Sequence, residues 1–438
     1  MDGVELFKEL LRIDTTNPPG NERAAAELLE ARLTGAGVET KIFISPGGRA
    51  SVVGRIPANS KEPALVLLSH LDVVGVEADK WSHDPFGAEE ADGCIWGRGA
   101  LDMKGIVAMH VVAAVKLAQS GIEPTRDVII VAVADEEAGG TEGAAWLVDE
   151  HPEAVGFSTE GPPPEVVGEG AYGVTGVLPQ PLMPIALGEK SAVWLELRAT
   201  GDPGHGALPP SNQATVNLLR AVEAVAGGRT PRVHPVMREQ FGILATRASF
   251  PLALALRGLS ASLTGNGAAR LVGLAMGASS AIGAVLCDTV TPTRVAAGYK
   301  HNVVPGSGEA SLDCRLLPDT DIDEFVAWIR RKVKSYSVEV AELSRHWGPV
   351  SERSDLFDSL TEISGQLTQA PVVVPSLTYG ITDVRYFRQK GATGYGWTPL
   401  VLPQDLLATI HGHDERIPRA DFERAVELMS QLVVGTAE

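Results

Sequence analysis

Apolar residues recur at two different spacings in the first part of the chain. A helical spacing is found at residues 2–12 and 21–35, which the breaker "NPPG" separates. Shorter apolar runs at 40–44, 50–56 and 64–69 are typical of strands. The N-terminal segment therefore predicts two helices followed by three strands.

A similar pattern continues as far as residue 151. Residues 103–121 predict a helix that ends at Gly121, residues 127–134 a buried strand, and residues 142–151 a further helix. Apolar strands that alternate with helices are typical of an α/β sheet covered on both faces. In such sheets ligands bind at the carboxyl ends of the strands, so polar residues that follow strands are candidates for function.

From Ser191 onward the order of predicted elements changes to β-α-β-β-α-β, the order of a ferredoxin-like unit. The elements are strand 191–200, helix 212–228, strands 289–298 and 308–318, helix 321–333 and strand 336–343. An insertion at about 229–288 follows the first helix, and α/β character resumes near residue 355 and ends in a helix over 420–434. We therefore predict a first domain in two parts, 1–190 and 346–438, with a second domain, 191–345, inserted between them.

Length, charge and cysteine content narrow the class of protein. A chain of 438 residues favours two domains, and a formal net charge of −18 argues against nucleic acid or anionic lipid as a partner. The 3 cysteines share no CxxC spacing, so neither a disulfide framework nor a thiolate zinc site is indicated. The acidic, amphipathic N-terminus is unlike a signal peptide, and we expect a cytoplasmic protein.

One uncharged stretch raises the question of a membrane span. "LVGLAMGASSAIGAVLC" (271–287) is shorter than the about 20 residues that cross a bilayer, and it is rich in Gly, Ala and Ser. A pair of helices packed within a domain is the preferred interpretation.

Polar residues follow the predicted strands in several places. His70 and Asp72 come directly after strand 64–69, and imidazole is a common metal ligand whose other nitrogen a carboxylate can hold. Asp102 lies between a glycine-rich loop and a helix start. A structural histidine and a helix N-cap are the alternative interpretations of these residues.

The acidic end of "VIIVAVADEEAGG" is the strongest of these signals. Glu136 and Glu137 follow a buried strand, where one carboxylate can bind a cation while its neighbour acts as a base. A solvated acidic helix start is the alternative. Glu160 also follows a short apolar stretch, and His411 lies in a late loop with His413 as an alternative.

Two histidines and three carboxylates from this set are enough for two divalent ions that share one bridging ligand. Nitrogen and oxygen ligands without thiolate suit zinc or another borderline divalent metal in a catalytic site.

Competing catalytic motifs lack their required context. "GEGAYG" (168–173) satisfies G-x-G-x-x-G, but no helix pattern follows it, as the dinucleotide fingerprint requires. The chain also has no Walker A motif and no G-x-S-x-G elbow.

The combination of motifs resembles the co-catalytic zinc aminoacylase and carboxypeptidase family, which includes acetylornithine deacetylase, succinyl-diaminopimelate desuccinylase and the carboxypeptidase S type. The matching stretches are "SHLDVV" (69–74), "WSHDPFGAEEADGCIWGRGALDMKG" (81–105), "ADEEAGG" (134–140), "STEG" (158–161), "GHGALPP" (204–210), "HNVVPG" (301–306), "DCRLLP" (313–318), "GITDVRYF" (380–387) and "IHGHDERIP" (410–418). The resemblance implies a mixed-sheet, zinc-exopeptidase-like α/β catalytic domain with an inserted ferredoxin-like α+β domain that serves as lid and dimerisation domain.

The resemblance also implies a ligand set. Asp102 would bridge two Zn²⁺ ions per subunit, for which Co²⁺ or Mn²⁺ can substitute. His70 and Glu160 would complete one site, and Glu137 and His411 the other. Glu160 is preferred over Glu165 or Glu169 because it ends the apolar "AVGF" stretch and precedes a glycine.

Further residues receive roles in catalysis and substrate binding from the same resemblance. Asp72 would orient the first histidine ligand, and Glu136 would be the general base. His205 would reach the substrate carbonyl once the lid closes, often across a dimer. Asn302 and Arg315 would bind the substrate's carboxylate or scissile amide.

The expected activity is hydrolysis of an amide or peptide bond in a small substrate by an exopeptidase, either a carboxypeptidase or a dipeptidase. An N-acyl-amino-acid deacylase of the aminoacylase, acetylornithine or succinyl-diaminopimelate type is the alternative within the enzyme class. A metal-binding scaffold without turnover is the alternative from another class, although a pure binder needs no spare base beside Glu137. The expected partners are a small peptide or N-acyl amino acid and a second copy of the chain.

Overall fold

The protein is described here by a computed structural model, which covers residues 1–60, 62–159, 161–261, 265–276 and 281–437. Its helices are α1 Gly3–Leu11, α2 Arg23–Thr34, α3 Lys104–Ser120, α4 Ala144–Glu150, α5 Ala214–Val225, α6 Pro235–Ala245, α7 Leu252–Ser260, α8 Gly265–Met276, α9 Ala281–Leu286, α10 Ile322–Val333, α11 Asp355–Ser364, α12 Val384–Gln389, α13 Gln404–Leu407 and α14 Arg419–Ala437.

The strands complete two compact units. They are β1 Glu39–Ile44, β2 Ala50–Ile56, β3 Leu65–His70, β4 Glu90–Ala91, β5 Cys94–Trp96, β6 Val128–Val133, β7 Glu165–Gly168, β8 Gly173–Val174, β9 Leu182–Glu189, β10 Ser191–Thr200, β11 Gly204–His205, β12 Thr289–Ala297, β13 Val303–Val304, β14 Ser307–Leu316, β15 Val338–His346, β16 Val372–Thr378, β17 Thr393–Gly396, β18 Val401–Leu402 and β19 Arg416–Pro418. Unit 1 comprises Met1–Gly188, Pro349–Ser376 and Thr382–Glu438, and unit 2 comprises Glu189–Gly348 and Leu377–Ile381.

Unit 1 is built on a large mixed sheet with the order β1-β2-β6-β3-β7-β17-β9-β8-β18, and β16 pairs with β9. Its centre is parallel: β3 lies between β6 and β7, and β17 pairs with β7 in the same direction. Every residue of β3 and β6 is buried, as expected for strands covered on both faces. The predicted α/β class is thus confirmed, as a mixed rather than a purely parallel sheet.

The parallel register places three strand ends at one edge. His70, the last residue of β3, pairs with Val133, the last residue of β6, and Leu67 pairs with Val167 of β7. Residues that directly follow β6 and β7 therefore lie beside His70. This edge is where the α/β fold positions a site.

Helix α3 is buried over most of its length, because α1 and α14 cover the side that the sheet leaves open. Phe7 of α1 stacks on Phe422 of α14 with ring centroids 4.7 Å apart. The helix ends at Gly121, whose φ of 77° is left-handed, a conformation that glycine adopts readily. The predicted end of this helix is confirmed.

A small sheet joins distant parts of unit 1. β5 pairs antiparallel with β19, so that Trp96 lies opposite Arg416. This pairing brings the loop after β5 next to the loop before β19, although more than 300 residues separate them in the chain.

Unit 2 contains an antiparallel sheet with the order β12-β14-β10-β15. Side chains from alternate positions of β10 are buried together with apolar residues of α5 and α10, among them Leu218 and Phe325. This strand order is that of a ferredoxin-like unit, and α6, α7, α8 and α9 lie between α5 and β12 in the chain.

Sequence patterns missed several short elements. β7, β9, β16 and β17 contain glycine or proline, which weakens a strand signal, yet all four belong to the large sheet. Within the uncharged stretch 271–287, residues 271–276 belong to α8 and residues 281–286 to α9. Among the described helices, none is both long and apolar enough to cross a bilayer.

Buried His110 on α3 leads to a prediction about acid stability. Neither ring nitrogen has a hydrogen-bond partner within the described residues, and burial lowers the pKa of His110 to about 3. The unfolded chain takes up this proton below its usual pKa near 6.5, whereas the folded chain does not. Stability should therefore fall as the pH drops from about 6.5 toward 3, by at most about 1.4 kcal/mol per pH unit from this group.

Replacing the imidazole by an apolar side chain removes this contribution. We expect His110→Leu to lose less thermal stability than wild type between pH 7 and pH 5, measured as the shift in unfolding midpoint. Val107→Ala, at another buried position of α3, is the control and should lower the midpoint equally at both pH values. An unchanged pH dependence in His110→Leu would contradict the assignment.

Candidate metal centre

Two groups of side chains at the edge where β3, β6 and β7 end have the composition of metal sites. The first contains His70, Asp102 and Glu169, and the second contains Asp102, Glu137 and His411. Within each group the ligand atoms lie within 4.8 Å of one another. Imidazole and carboxylate without thiolate suit zinc or another borderline divalent ion.

Asp102 belongs to both groups and uses a different oxygen for each. Its Oδ1 lies 3.1 Å from His70 Nε2, and its Oδ2 lies 3.1 Å from His411 Nε2. Glu169 Oε2 is 3.7 Å from His70 Nε2, and Glu137 Oε1 is 3.3 Å from His411 Nε2. A carboxylate shared in this way has the geometry of a bridging ligand.

The alternative interpretation of Asp102 as a helix cap does not fit the structure. Met103 occupies the N-cap position of α3 and makes no side-chain capping hydrogen bond. The carboxylate of Asp102 instead faces the two histidines.

Glu160, the ligand that the sequence favours, lies outside the described residues, and among those described Glu169 completes the first group. The apolar "AVGF" stretch that favoured Glu160 is a turn in the structure, and the adjacent strand is β7. Glu169 directly follows β7 and so comes to the same edge as His70. Glu169 was one of the alternatives to Glu160, but the sequence pattern does not reveal β7, the strand that positions it.

The tautomer of His70 supports a cation at this position. Its Nδ1 lies 2.9 Å from the backbone oxygen of Asp72, which can only accept a hydrogen bond, so Nδ1 carries the proton. The lone pair of a neutral Nε2 then faces the oxygens of Asp102 and Glu169, which are acceptors when both carboxylates are ionised. A proton or a metal ion between Nε2 and these oxygens removes the repulsion between their lone pairs.

Electrostatics of the metal-free side chains lead to the same conclusion. Burial, followed by the charge of Asp102, raises the pKa of Glu169 to about 8. Hydrogen bonds to Asp102 and Glu137 raise the pKa of His411 to about 10. Burial also raises the pKa of Glu137, although its Oε1 lies 3.3 Å from His411 Nε2. These side chains either hold protons or bind cations, and their chemistry fits a divalent metal.

Glu136 differs from its neighbour in belonging to neither ligand group. It lines a small cavity together with His70, Glu169 and Asp383. Burial, followed by the charge of Glu169, raises the pKa of Glu136 well above its usual value. A carboxylate of this kind, next to a metal site, has the properties of a general base.

Asp72 holds the acidic turn more directly than it holds the histidine. Its carboxylate accepts hydrogen bonds from the backbone N–H groups of Glu136 and Glu137, each at 3.1 Å, and from Asn17 Nδ2 at 2.8 Å. The nearest carboxylate oxygen is 3.6 Å from His70 Nδ1, farther than the backbone oxygen. Asp72 thus orients the ring through its carbonyl and the two glutamates through its side chain.

Asp135 has a structural role that its sequence context did not reveal. Its φ of 71° is left-handed, and its carboxylate accepts hydrogen bonds from Arg49 Nη1 at 2.8 Å and from Glu142 N at 3.0 Å. Arg49 also forms an ion pair with buried Glu22. These contacts fix the start of the turn that carries Glu136 and Glu137.

Sequence analysis did not identify four other residues near the ligand groups, although each lies in a stretch that was quoted above. Asn17 belongs to the breaker "NPPG", and Asp383 and Tyr386 belong to "GITDVRYF". Tyr386 donates a hydrogen bond to the backbone oxygen of Gly139 at 2.6 Å, just after the acidic turn. Tyr172, in the dismissed "GEGAYG" motif, donates to the backbone oxygen of Leu101. These contacts join segments that are distant in the sequence, so only the three-dimensional structure shows them.

The predicted catalytic residue His205 and the predicted substrate-binding residue Asn302 lie together in unit 2. β11 pairs with β13, and Gly206 N donates to Asn302 O at 2.9 Å, which places His205 and Asn302 on adjacent segments. Both residues are exposed. Arg315 is instead paired with Asp313, with Nε 2.8 Å from its Oδ1, so its charge is partly neutralised.

Comparison with known proteins agrees with the fold. Residues 66–434 match peptidase family M20/M25/M40. Aminoacylase-1 of Sus scrofa is 30% identical over 445 residues, which cover 99% of this chain and 95% of the relative. N-fatty-acyl-amino acid synthase/hydrolase PM20D1 of Xenopus tropicalis is 30% identical over 98% of this chain and 85% of the relative. The M20 family metallo-carboxypeptidase Sso-CP2 from Sulfolobus solfataricus has a TM-score of 0.74 at 19% identity, over 99% of both chains.

The family match extends over most of the sequence and includes the parallel strands and the residues of both ligand groups. It confirms the resemblance drawn from the motifs, and with it an enzyme that hydrolyses amide bonds in small substrates. The chain belongs to peptidase family M20/M25/M40, a family of metal-dependent hydrolases.

Proposed function

We propose that this enzyme binds two Zn²⁺ ions and hydrolyses the amide bond of an N-acyl amino acid. The observation that carries the proposal is the position of Asp102, whose two oxygens each face a different histidine at 3.1 Å. Co²⁺ and Mn²⁺ are expected to substitute for zinc at such sites.

The proposed ligands follow from the two groups of side chains. His70 and Glu169 would hold one ion, Glu137 and His411 the other, and Asp102 both. Glu169 replaces Glu160 in this assignment, because it directly follows β7 at the edge where β3 also ends. Divalent ions in such sites lower the pKa of water and polarise a carbonyl group.

Glu136 is the proposed general base. Its backbone N–H is held by the Asp72 carboxylate, and its buried carboxyl has a raised pKa, which suits proton transfer near neutral pH. A carboxylate oxygen of Glu136 accepts a proton from the attacking water and returns it to the leaving nitrogen.

His205 is the proposed hydrogen-bond donor to the tetrahedral oxyanion. Ala207 N donates to His205 Nδ1 at 3.1 Å, so the ring proton of the neutral form is on Nε2. An Nε2–H group is the donor that an oxyanion requires. Asn302 is a candidate substrate ligand because it lies beside His205, whereas Arg315 would have to share its charge with Asp313.

The substrate class rests on the names of the relatives. Two relatives at 30% identity are an aminoacylase and an N-fatty-acyl-amino acid synthase/hydrolase, which favours an N-acyl amino acid. The carboxypeptidase Sso-CP2 is similar in fold, which keeps a dipeptide or a C-terminal peptide bond as the second candidate. The reaction at the bond is the same in both cases.

We also propose that two copies associate through unit 2. β12 is an edge strand of its sheet, and neighbouring α5 carries an exposed Leu219. Light scattering on the purified protein tests this proposal, since a dimeric mass is expected and a monomeric mass would contradict it.

A panel of N-acyl amino acids, dipeptides and longer peptides tests the activity. Metal-loaded protein should hydrolyse N-acyl amino acids fastest and lose this activity in the presence of a chelator. Faster hydrolysis of dipeptides or of C-terminal residues would select the peptidase alternative. No hydrolysis of any compound by metal-loaded protein would support a metal-binding scaffold instead.

Glu136→Gln should separate metal binding from catalysis. The amide cannot accept the proton, so we expect kcat to fall by about 10² to 10⁴-fold while both ions remain bound. Enzyme kinetics and metal analysis of the same sample check both statements. Glu150→Gln, at an exposed glutamate at the end of α4, is the control and should leave kcat unchanged. Near-normal turnover in Glu136→Gln would rule out the base.

Glu169→Gln and Glu160→Gln distinguish the two candidates for one ligand. Removing a carboxylate ligand should lower the affinity of that site by at least about tenfold, so Glu169→Gln should retain fewer ions than wild type after dialysis. Glu160→Gln should retain the wild-type number. The reverse result would restore Glu160 as the ligand.

A further inference from the structure

Two loops that are distant in the sequence supply two of the residues in the ligand groups. The loop after β5 carries Asp102, and the loop before β19 carries His411. The pairing of β5 with β19 makes these loops neighbours. A buried ion pair, Arg98 with Glu415, lies between them at 2.7 Å.

Glu415 organises the loop that carries Asp102. It is completely buried, and its carboxylate accepts hydrogen bonds from the backbone N–H groups of Gly99 at 3.1 Å, Leu101 at 2.7 Å and Asp102 at 3.0 Å. Arg98 Nη1 provides a fourth donor at 2.7 Å. One side chain near the C-terminus thus sets the backbone of the shared ligand.

Arg98 extends the same arrangement to the loop of the second histidine. Its Nη2 donates to the backbone oxygen of Gly412 at 2.7 Å, next to His411. His411 has a φ of 58°, a left-handed conformation that a non-glycine residue adopts only when its surroundings hold it there. The guanidinium also lies 5.2 Å from the ring centroid of Trp81, which covers it.

We propose that Arg98 and Glu415 are positioning residues that hold Asp102 and His411 at the separation needed to bind two ions. This inference rests on the proposed dinuclear function. Neither side chain belongs to a ligand group: Glu415 acts on the backbone of Asp102, and Arg98 acts on the backbone of Gly412, next to His411.

The hydrogen bonds of Arg98 and Glu415 predict different effects on metal binding when each residue is replaced. Glu415 bonds to the backbone of Asp102, the ligand common to both groups, so its replacement should weaken both ions. The Nη2 group of Arg98 bonds only to the His411 loop among the contacts described, so its loss should weaken mainly the ion at Glu137 and His411.

Titration of metal-free protein with Co²⁺, followed by its visible absorption, tests this division. Arg98→Lys keeps the charge but lacks the second amino group of the fork, and should weaken one of two binding steps by about 10 to 100-fold. Glu415→Gln lacks a carboxylate oxygen, and should weaken both steps and change the absorption spectrum of the bound ion.

A second buried ion pair of unit 1 provides the matched control. Glu165 pairs with Arg126 at 2.7 Å, and neither residue is in a ligand group. Both Glu165→Gln and Glu415→Gln should lower the unfolding temperature of the metal-free protein, but Glu165→Gln should leave both Co²⁺ affinities at wild-type values.

Two outcomes would overturn the inference in different ways. One outcome is that wild type binds two Co²⁺ ions and that Arg98→Lys and Glu415→Gln each bind both ions with wild-type affinity. The ion pair of Arg98 and Glu415 would then have only a structural role. If wild type binds fewer than two ions, the proposed dinuclear function fails, and the positioning role fails with it. Arg98→Lys retains the buried charge, so it keeps the test available if Glu415→Gln does not fold.

Discussion

The fold of unit 1 has to accommodate several carboxylates that burial and mutual repulsion would otherwise keep apart. Asp102, Glu136, Glu137, Glu169 and Asp383 come together at one edge of the sheet, and burial raises the pKa of all of them except Asp102. For Asp102 two histidines outweigh burial and lower the pKa. Uncompensated charges in such a place cost several kcal/mol each, so counter-charge is a condition of the fold.

Two arginines pair with carboxylates beside this cluster. Arg49 pairs with Asp135 and Glu22 on one side, and Arg98 pairs with Glu415 on the other. Both arginines neutralise carboxylates that shape the backbone and leave the ligand carboxylates free of ion pairs with arginine or lysine among the described residues. A divalent metal ion at the two ligand groups would supply the counter-charge that these carboxylates need.

Sequence patterns predicted the part of the site that depends on local order. His70, Glu136 and Glu137 follow long apolar strands, and the end of such a strand can be located from the pattern alone. Glu169 follows β7, a strand of four residues with glycine at its end, so the stronger apolar signal near Glu160 was preferred. The motif "GEGAYG", which no helix pattern follows as a dinucleotide fingerprint requires, contains this glutamate of the first ligand group.

Contacts between distant parts of the chain could not be predicted from the sequence. Arg98 and Glu415 are separated by 317 residues, and nothing in their spacing indicates that they pair. The carboxylate of Asp72 was expected to orient a histidine, yet it bonds to the backbone of the acidic turn. Such roles follow from strand pairing and backbone direction, which a pattern of residue types does not contain.

Zinc titration of chelator-treated protein, by calorimetry in two buffers with different heats of ionisation, tests the central claim most directly. Without a cation, Glu169 with a pKa of about 8 and His411 with a pKa of about 10 hold protons at pH 7. We expect two ions to bind per chain, with release of protons, and hydrolysis of an N-acyl amino acid to return as they bind. Full hydrolysis before zinc is added, or binding without proton release, would contradict this account.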